Sequence, residues 1–214
     1  HTSSWDFVRG LLAARALLPH EFLGRVYYPE LFGALFLSAT TWLKGGFDAV
    51  GGVLGLKAGG YWPHNLERRG IINHQSTVFL FDPDTGRVKA MVGGNYLTAL
   101  RTAAASAVSI RHLARKDAKV LGMVGAGHQS HFQLRAAVRQ RDFEEVIAWN
   151  YHPEMVPALE KTAADVGLPF RSVSLEELGA AADVIITISS AFAPSLMAEH
   201  VRPGTHLACM GTDT

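Results

Sequence analysis

The stretch that most restricts what this chain can fold into is AKVLGMVGAGHQS, residues 118–130, an apolar run that breaks into glycines and then into a helical pattern. Val120, Leu121, Met123 and Val124 form the continuous apolar run of a strand buried on both faces, as in a parallel sheet. Gly125 and Gly127 supply the tight turn and the close backbone approach that a pyrophosphate requires, with the first amides of the next helix aimed at it. Ser130 stands where a third small residue lets helix and strand pack closely. An ordinary strand-to-helix turn can carry the same letters, so the flanking sequence has to decide between the two.

Downstream, strand and helix alternate. Helices are expected over 129–139, 154–166 and 175–180, and strands over 146–149, 170–173, 184–188 and, after the turn Arg202-Pro203-Gly204, 206–210. This alternation predicts an α/β fold, a Rossmann-type doubly wound parallel sheet over 117–214. Such sheets bind ligands at the carboxyl ends of their strands. Those ends are Gly125, Asn150, Ser189 with Ser190, and Gly211 to Asp213. A strict NAD binder carries a carboxylate for the ribose diol at the second of these ends, where this chain has Asn150, Tyr151 and His152. The missing acid removes the usual repulsion of a 2′-phosphate, yet no adjacent arginine welcomes one, and both NAD and NADP stay open. Asp213 is either a carboxylate directed at the nicotinamide position or an Asx turn or helix cap.

Upstream, residues 1–116 read as a separate α+β domain, with the change of character at Lys116-Asp117. Apolar residues from Trp5 to Phe22 recur at roughly helical spacing until Pro19. Short strands are expected over 25–56, a polar loop over 61–70, and a hairpin of 76–81 with 88–92 around Asp82-Pro83-Asp84-Thr85-Gly86. Lys44 precedes Gly45-Gly46, and Lys57 lies just ahead of Gly59-Gly60. Each is either part of an anion site or a solvated surface cation. His74 and Gln75 stand at the entrance of the hairpin's first strand. An alanine-rich helix follows from Thr98, read as its N-cap, with Arg101 and Thr102 in its first turns. A cation there opposes the helix dipole, a conflict that an anionic ligand or a salt bridge would relieve.

A formal net charge of +1 over 214 residues leaves no electrostatic footprint for nucleic acid or an anionic membrane. The longest apolar run, 31–43, is interrupted by Gly33, Ser38, Thr40 and Thr41 and is too short to span a bilayer. Trp5, Asp6 and Arg9 break any early apolar core of a signal peptide. The single cysteine, Cys209, excludes an internal disulfide and fits a reducing, cytoplasmic compartment. No metal site is expected.

With these motifs in place, the chain from Lys44 to Asp213 resembles the ornithine cyclodeaminase and μ-crystallin family of NAD(P)-dependent imine-handling enzymes. The likeness rests on the two lysines, the FDPDTG hairpin, the TALRTAAASA helix, the GAGHQS turn, the ADVIIT strand and the ending PGTHLACMGTD. It implies that Lys57 and Arg101 hold a substrate α-carboxylate, with Lys44 at a third charged position. It implies that Asp213 is the catalytic acid or base beside the reacting carbon, and that Asn73 and His74 meet nicotinamide ribose and substrate. Gly125 makes the dinucleotide turn, and Thr102, Ala126, Gly127, His128, Gln129, Asn150, Ser189, Met210 and Gly211 line the cofactor, NADH being favoured and NADP possible. The wording KGGFDAVGGVLGLKAGGYWPHN, INHQSTVFLFDPDTGR and LTALRTAAASAVSI is similar to a branch that reduces a dicarboxylic imine, iminosuccinate, to L-aspartate. An ornithine cyclodeaminase, an alanine dehydrogenase or ketimine reductase, and a non-catalytic nucleotide-binding crystallin are the alternatives. Relatives are homodimers through the first domain. They also continue past the position of Thr214 with a lysine-containing loop and helices, so this sequence is expected to be part of a longer protein.

Overall fold

The computed structural model describes residues 25–26, 40–191 and 193–211. The helix expected over 5–22, and Thr212 and Asp213, lie outside these residues. The chain divides into two compact units, His1–Tyr96 and Leu97–Thr214.

In the first unit, β1 (Arg25–Val26), β2 (Thr40–Asp48), β3 (Val53–Tyr61), β4 (His74–Phe81) and β5 (Val88–Gly93) form one antiparallel sheet in chain order. The turn between β4 and β5 closes on Asp82, whose Oδ1 accepts from the Thr85 and Asp84 amides at 2.9 and 3.1 Å. The stretch expected as loop over 61–70 contains a short helix, α1 (Asn65–Arg69), ended by Gly70 at φ 66°. Its cause lies just beyond the end of the helix. Asn73 accepts the Leu66 amide on Oδ1 at 2.9 Å, receives the Trp62 amide on its backbone carbonyl at 2.8 Å, and donates from Nδ2 to the Tyr61 hydroxyl at 3.3 Å.

Helix α2 (Gly94–Leu113) begins ahead of the expected start. Asn95 anchors its first turn on β4, accepting from the Ser76 amide at 2.8 Å and donating to Gln75 Oε1 at 2.9 Å. Gly94 permits this approach, since a Cβ there would lie 2.5 Å from Ser76 Oγ. Thr98 is therefore a buried residue inside the helix and not its N-cap, and Arg101 and Thr102 lie past the first two turns. Thr98, Ala99, Thr102, Ala103, Ser106, Ala107 and Ile110 make up its buried face. Ile110 belongs to the core of the second unit, and the packing division falls between Tyr96 and Leu97 in the first turn of the helix, whereas Lys116-Asp117 lies just past its far end.

The second unit is a parallel sheet in the order β10-β9-β6-β7-β8. Its elements are β6 (Val120–Val124), α3 (His128–Ala137), β7 (Glu145–Trp149), α4 (Val156–Asp165), β8 (Phe170–Ser172), α5 (Leu175–Ala181), β9 (Val184–Thr187) and β10 (His206–Cys209). Single 3-10 turns, Pro153–Met155 and Ala198–His200, precede α4 and β10. Strand alternation sorts the core onto two faces, as covering both sides of a sheet requires. Leu121, Met123, Val146, Ala148, Val184 and Ile186 pack with Ile110, Leu134 and Leu159 of α2, α3 and α4. Val124, Ile147 and Ile185 pack with Leu178 of α5. The expected doubly wound sheet beside an α+β unit is the observed architecture.

Asp183 fastens the start of this sheet. One carboxylate oxygen accepts the amides of Lys119 and Val120 at 2.7 and 3.0 Å, and the other accepts from the guanidinium groups of Arg115 and Arg202. Burial alone would raise its pKa, but the two amides and two cations outweigh it and hold the carboxyl below its ordinary value. At the adjacent corner, Arg141 donates to the carbonyls of Arg111, Ala114 and Arg115, occupying the acceptors that the end of α2 leaves open.

Candidate active site

The chain runs from β6 through β7 to β8 on one side of the sheet and returns to β9 on the other side of β6, so the strand order reverses between β6 and β9. In such sheets the ligand crevice opens at this reversal, beyond the carboxyl ends of the two strands. Gly125 stands there with φ +115°. A Cβ on it would lie 2.9 Å from the backbone carbonyl of Ile188 and 3.1 Å from the Ser189 amide nitrogen, so only glycine lets the two strand ends touch. Gly127 differs. A Cβ there would meet no atom within 4 Å, so its lack of a side chain serves no packing purpose and leaves room at the helix start.

That helix start suits an anion. Gly127 is the N-cap of α3, no side chain caps the helix, and its first turn carries no acid. The leading amides thus keep their donors for a ligand, as the macrodipole also favours. Ser130 packs inward, donating from Oγ to the Gly127 carbonyl at 2.6 Å and fixing the turn. The residues present therefore fit a dinucleotide pyrophosphate. The side chain of His128 is exposed, and its ring packs on Phe132 at 5.4 Å. Farther along, burial, joined by the nearby charges of His128 and Arg135, depresses the pKa of His131, whose Nδ1 bonds Thr162 Oγ1 at 2.7 Å.

Asn150 ends β7 and binds back to the glycine turn. Its Oδ1 accepts the Ala126 amide at 3.1 Å and its Nδ2 donates to the His152 carbonyl at 2.8 Å. Gly125, Ala126, Gly127, His128, Gln129, Asn150, Ser189, Met210 and Gly211 are all gathered at the strand ends and connecting turns of this one unit. Met210 is held there by its amide, which donates to the Thr187 carbonyl at 2.8 Å. Thr102 is buried, its hydroxyl returned to the Thr98 carbonyl at 2.7 Å. A nearby feature gave no signal in the sequence. Ser106 of α2 donates to Gln133 of α3, whose Nε2 is buried with no partner among the described residues, as is Gln129 Oε1.

In the first unit, Lys57 on β3 is half-buried and lies directly opposite Lys44 of β2 in the antiparallel register. Sequence spacing carried no trace of that pairing. Asn73 spends its side-chain amide on Leu66 and Tyr61, and His74 opens β4 opposite Tyr61. Arg101 is exposed on α2, with no ion pair to another described residue. Asp213 lies outside the described residues. Among those described, no group of three or more His, Cys, Asp or Glu side chains could hold a metal ion.

Comparison with known proteins accords with this geometry. The model of the ornithine cyclodeaminase/mu-crystallin family matches residues 47–214. The iminosuccinate reductase of Paracoccus denitrificans (strain Pd 1222) is 69% identical over 171 residues, covering 80% of this chain and 53% of that protein. The crystal structure of the iminosuccinate reductase of Paracoccus denitrificans in complex with NAD+ superposes with a TM-score of 0.78 at 59% identity, over 98% of this chain and 63% of that one. Thermococcus litoralis Delta(1)-pyrroline-2-carboxylate reductase, solved with NADH and L-proline, gives 0.78 at 28% identity, over 86% and 56%. The chain spans about half the length of the curated relatives it matches. With the family model covering most of its residues, the chain belongs to the ornithine cyclodeaminase/mu-crystallin family.

Proposed function

We propose that this chain carries a substrate unit and a dinucleotide unit of an NADH-dependent imine reductase that converts iminosuccinate to L-aspartate. The observation that carries the reading is the register of Lys44 against Lys57. This register sets two cationic residues at one place in the sheet, a pairing suited to a substrate with two carboxylates. The 69% identity to an iminosuccinate reductase supports the same substrate class.

A reduced nicotinamide, when bound, would supply the hydride for the imine carbon. The protein's work is placement. The start of helix α3 and Gly127 would hold the pyrophosphate, and Ser189, Met210 and Gly211 would line the dinucleotide. Lys44, Lys57 and Arg101 fix the carboxylates, with a bidentate grip available only to the arginine. By the family resemblance, His74 and Asn73 would meet the substrate. Asp213 stabilises the cationic imine nitrogen and manages its proton. With both partners oriented and water excluded, the reaction needs little further help from side chains. A homodimer is the proposed assembly, supported by exposed Phe47, Val50, Val88 and Met91 on the first unit. The free, exposed Cys209 suits a cytoplasmic setting.

The test is nicotinamide absorbance with oxaloacetate and ammonia, with pyruvate and ammonia, and with ornithine. Oxidation of NADH with oxaloacetate and ammonia supports the reading. Ammonia release from ornithine with no net absorbance change would replace it with a cyclodeaminase. Arg101→Ala should raise KM for the imine on the order of a hundredfold, the loss of a charged hydrogen-bonded contact, while the Kd for NADH stays within about twofold. Unchanged kinetics would remove Arg101 from the site.

A further inference from the structure

Asn150 stands where the residue that reads the adenosine ribose is placed in a nucleotide-binding sheet, some 20 residues beyond the glycine turn. Its side chain is already committed. Oδ1 takes the Ala126 amide and Nδ2 serves the His152 carbonyl, so Asn150 ties the end of β7 to the glycine turn. The chain then turns tightly through Tyr151 and His152 into the 3-10 turn Pro153–Met155. This turn contains no lysine or arginine, and Glu154 is its one carboxylate. Glu154 is 70% exposed, and His152 Nδ1 holds it at 3.3 Å. The His152 ring in turn packs edge-on against Tyr151, with centroids 5.1 Å apart.

From this arrangement we infer that Glu154, steadied by His152, is the residue that selects NADH over NADPH, accepting a hydrogen bond from the ribose 2′-hydroxyl and repelling a 2′-phosphate. The inference rests on the dinucleotide reading above and deepens it. The sequence shows only the absence of an acid at position 150. The hydrogen bonds of Asn150 explain why the discriminating carboxylate moves along the turn. A carboxylate both accepts well from a hydroxyl and opposes a phosphate dianion at close range, so one side chain serves both halves of the choice.

The experiment measures Kd and KM for NADH and NADPH in wild type, Glu154→Gln, Glu154→Asp and Glu154→Lys. Wild type should prefer NADH. Glu154→Gln should cut the NADPH-to-NADH ratio of KM by about tenfold or more, chiefly by improving NADPH, and Glu154→Lys should cut it further. Glu154→Asp should restore most of the preference, which a merely structural role for the turn would not predict. A wild type that prefers NADPH, or NADH binding with the ratio unmoved in both Glu154→Gln and Glu154→Lys, would overturn the assignment and leave the reductase reading intact. Failure of the wild type to bind either nucleotide would overturn the reductase reading itself.

Discussion

Gly125 and Gly127 are two residues apart and answer to different demands. At Gly125 the positive φ and the backbone of Ile188 and Ser189 both exclude a side chain. Alanine there must distort the junction of β6 and β9, so Gly125→Ala should lower the melting temperature by several degrees and abolish nucleotide binding together. At Gly127 φ is −78° and a Cβ meets nothing, so Gly127→Ala should melt close to wild type and still lose affinity for NADH, by about tenfold or more, because the methyl enters the pyrophosphate's space. Calorimetry with and without NADH separates the two variants. A Gly127→Ala protein that binds NADH like wild type would remove this turn from the phosphate site.

Among the elements, the strands were legible and the long-range ties were not. The β6 strand over 120–124 and the alternation that follows it stand out because each buried strand repeats its own apolar pattern. The start of α2 was hidden because Gly94 and Asn95 read locally as breakers, whereas in the fold one admits Ser76 and the other anchors on it. The same holds for α1, whose partner Asn73 follows it in the chain. At the site, the glycine turn and Arg101 were visible as motifs, but the register of Lys44 with Lys57 and the engagement of Asn150 depend on which strands meet. Asp183 is a tie of this kind, joining the starts of β6 and β9 to Arg115 and Arg202. Because folding lowers its pKa, the stability it lends is present above the unfolded value of about 3.9 and is lost as pH falls through the lower folded value. Urea midpoints of the second unit should therefore decline below about pH 4. Asp183→Asn should cost about 3 kcal/mol at pH 7 and flatten that decline, since Arg202 loses its counter-charge and Arg115 is left with Asp117 alone. An unchanged acid limb in the variant would assign the decline to other carboxylates.

At the scale of the whole molecule, the division of labour follows the division of packing. The glycine turn, the start of α3, Asn150 and Ser189 belong to one compact unit, and Lys44 and Lys57 to the other. Nucleotide alone should therefore stabilise chiefly the second unit. At a hundred times Kd it adds about 2.7 kcal/mol to every opening that destroys the nucleotide site. Hydrogen exchange read by mass spectrometry should show amides of β6, the first turn of α3 and residues 188–190 slowing by up to about a hundredfold, in proportion to that free energy. Amides in the middle of β3 should change little until L-aspartate is added with NAD+, the result expected if the carboxylates of a bound amino acid reach Lys57. Protection of β3 by nucleotide alone, equal to that of β6, would mean that the two units open as one. Protection of β3 by neither ligand would exclude Lys57 from the substrate site, whatever the kinetics of Arg101→Ala.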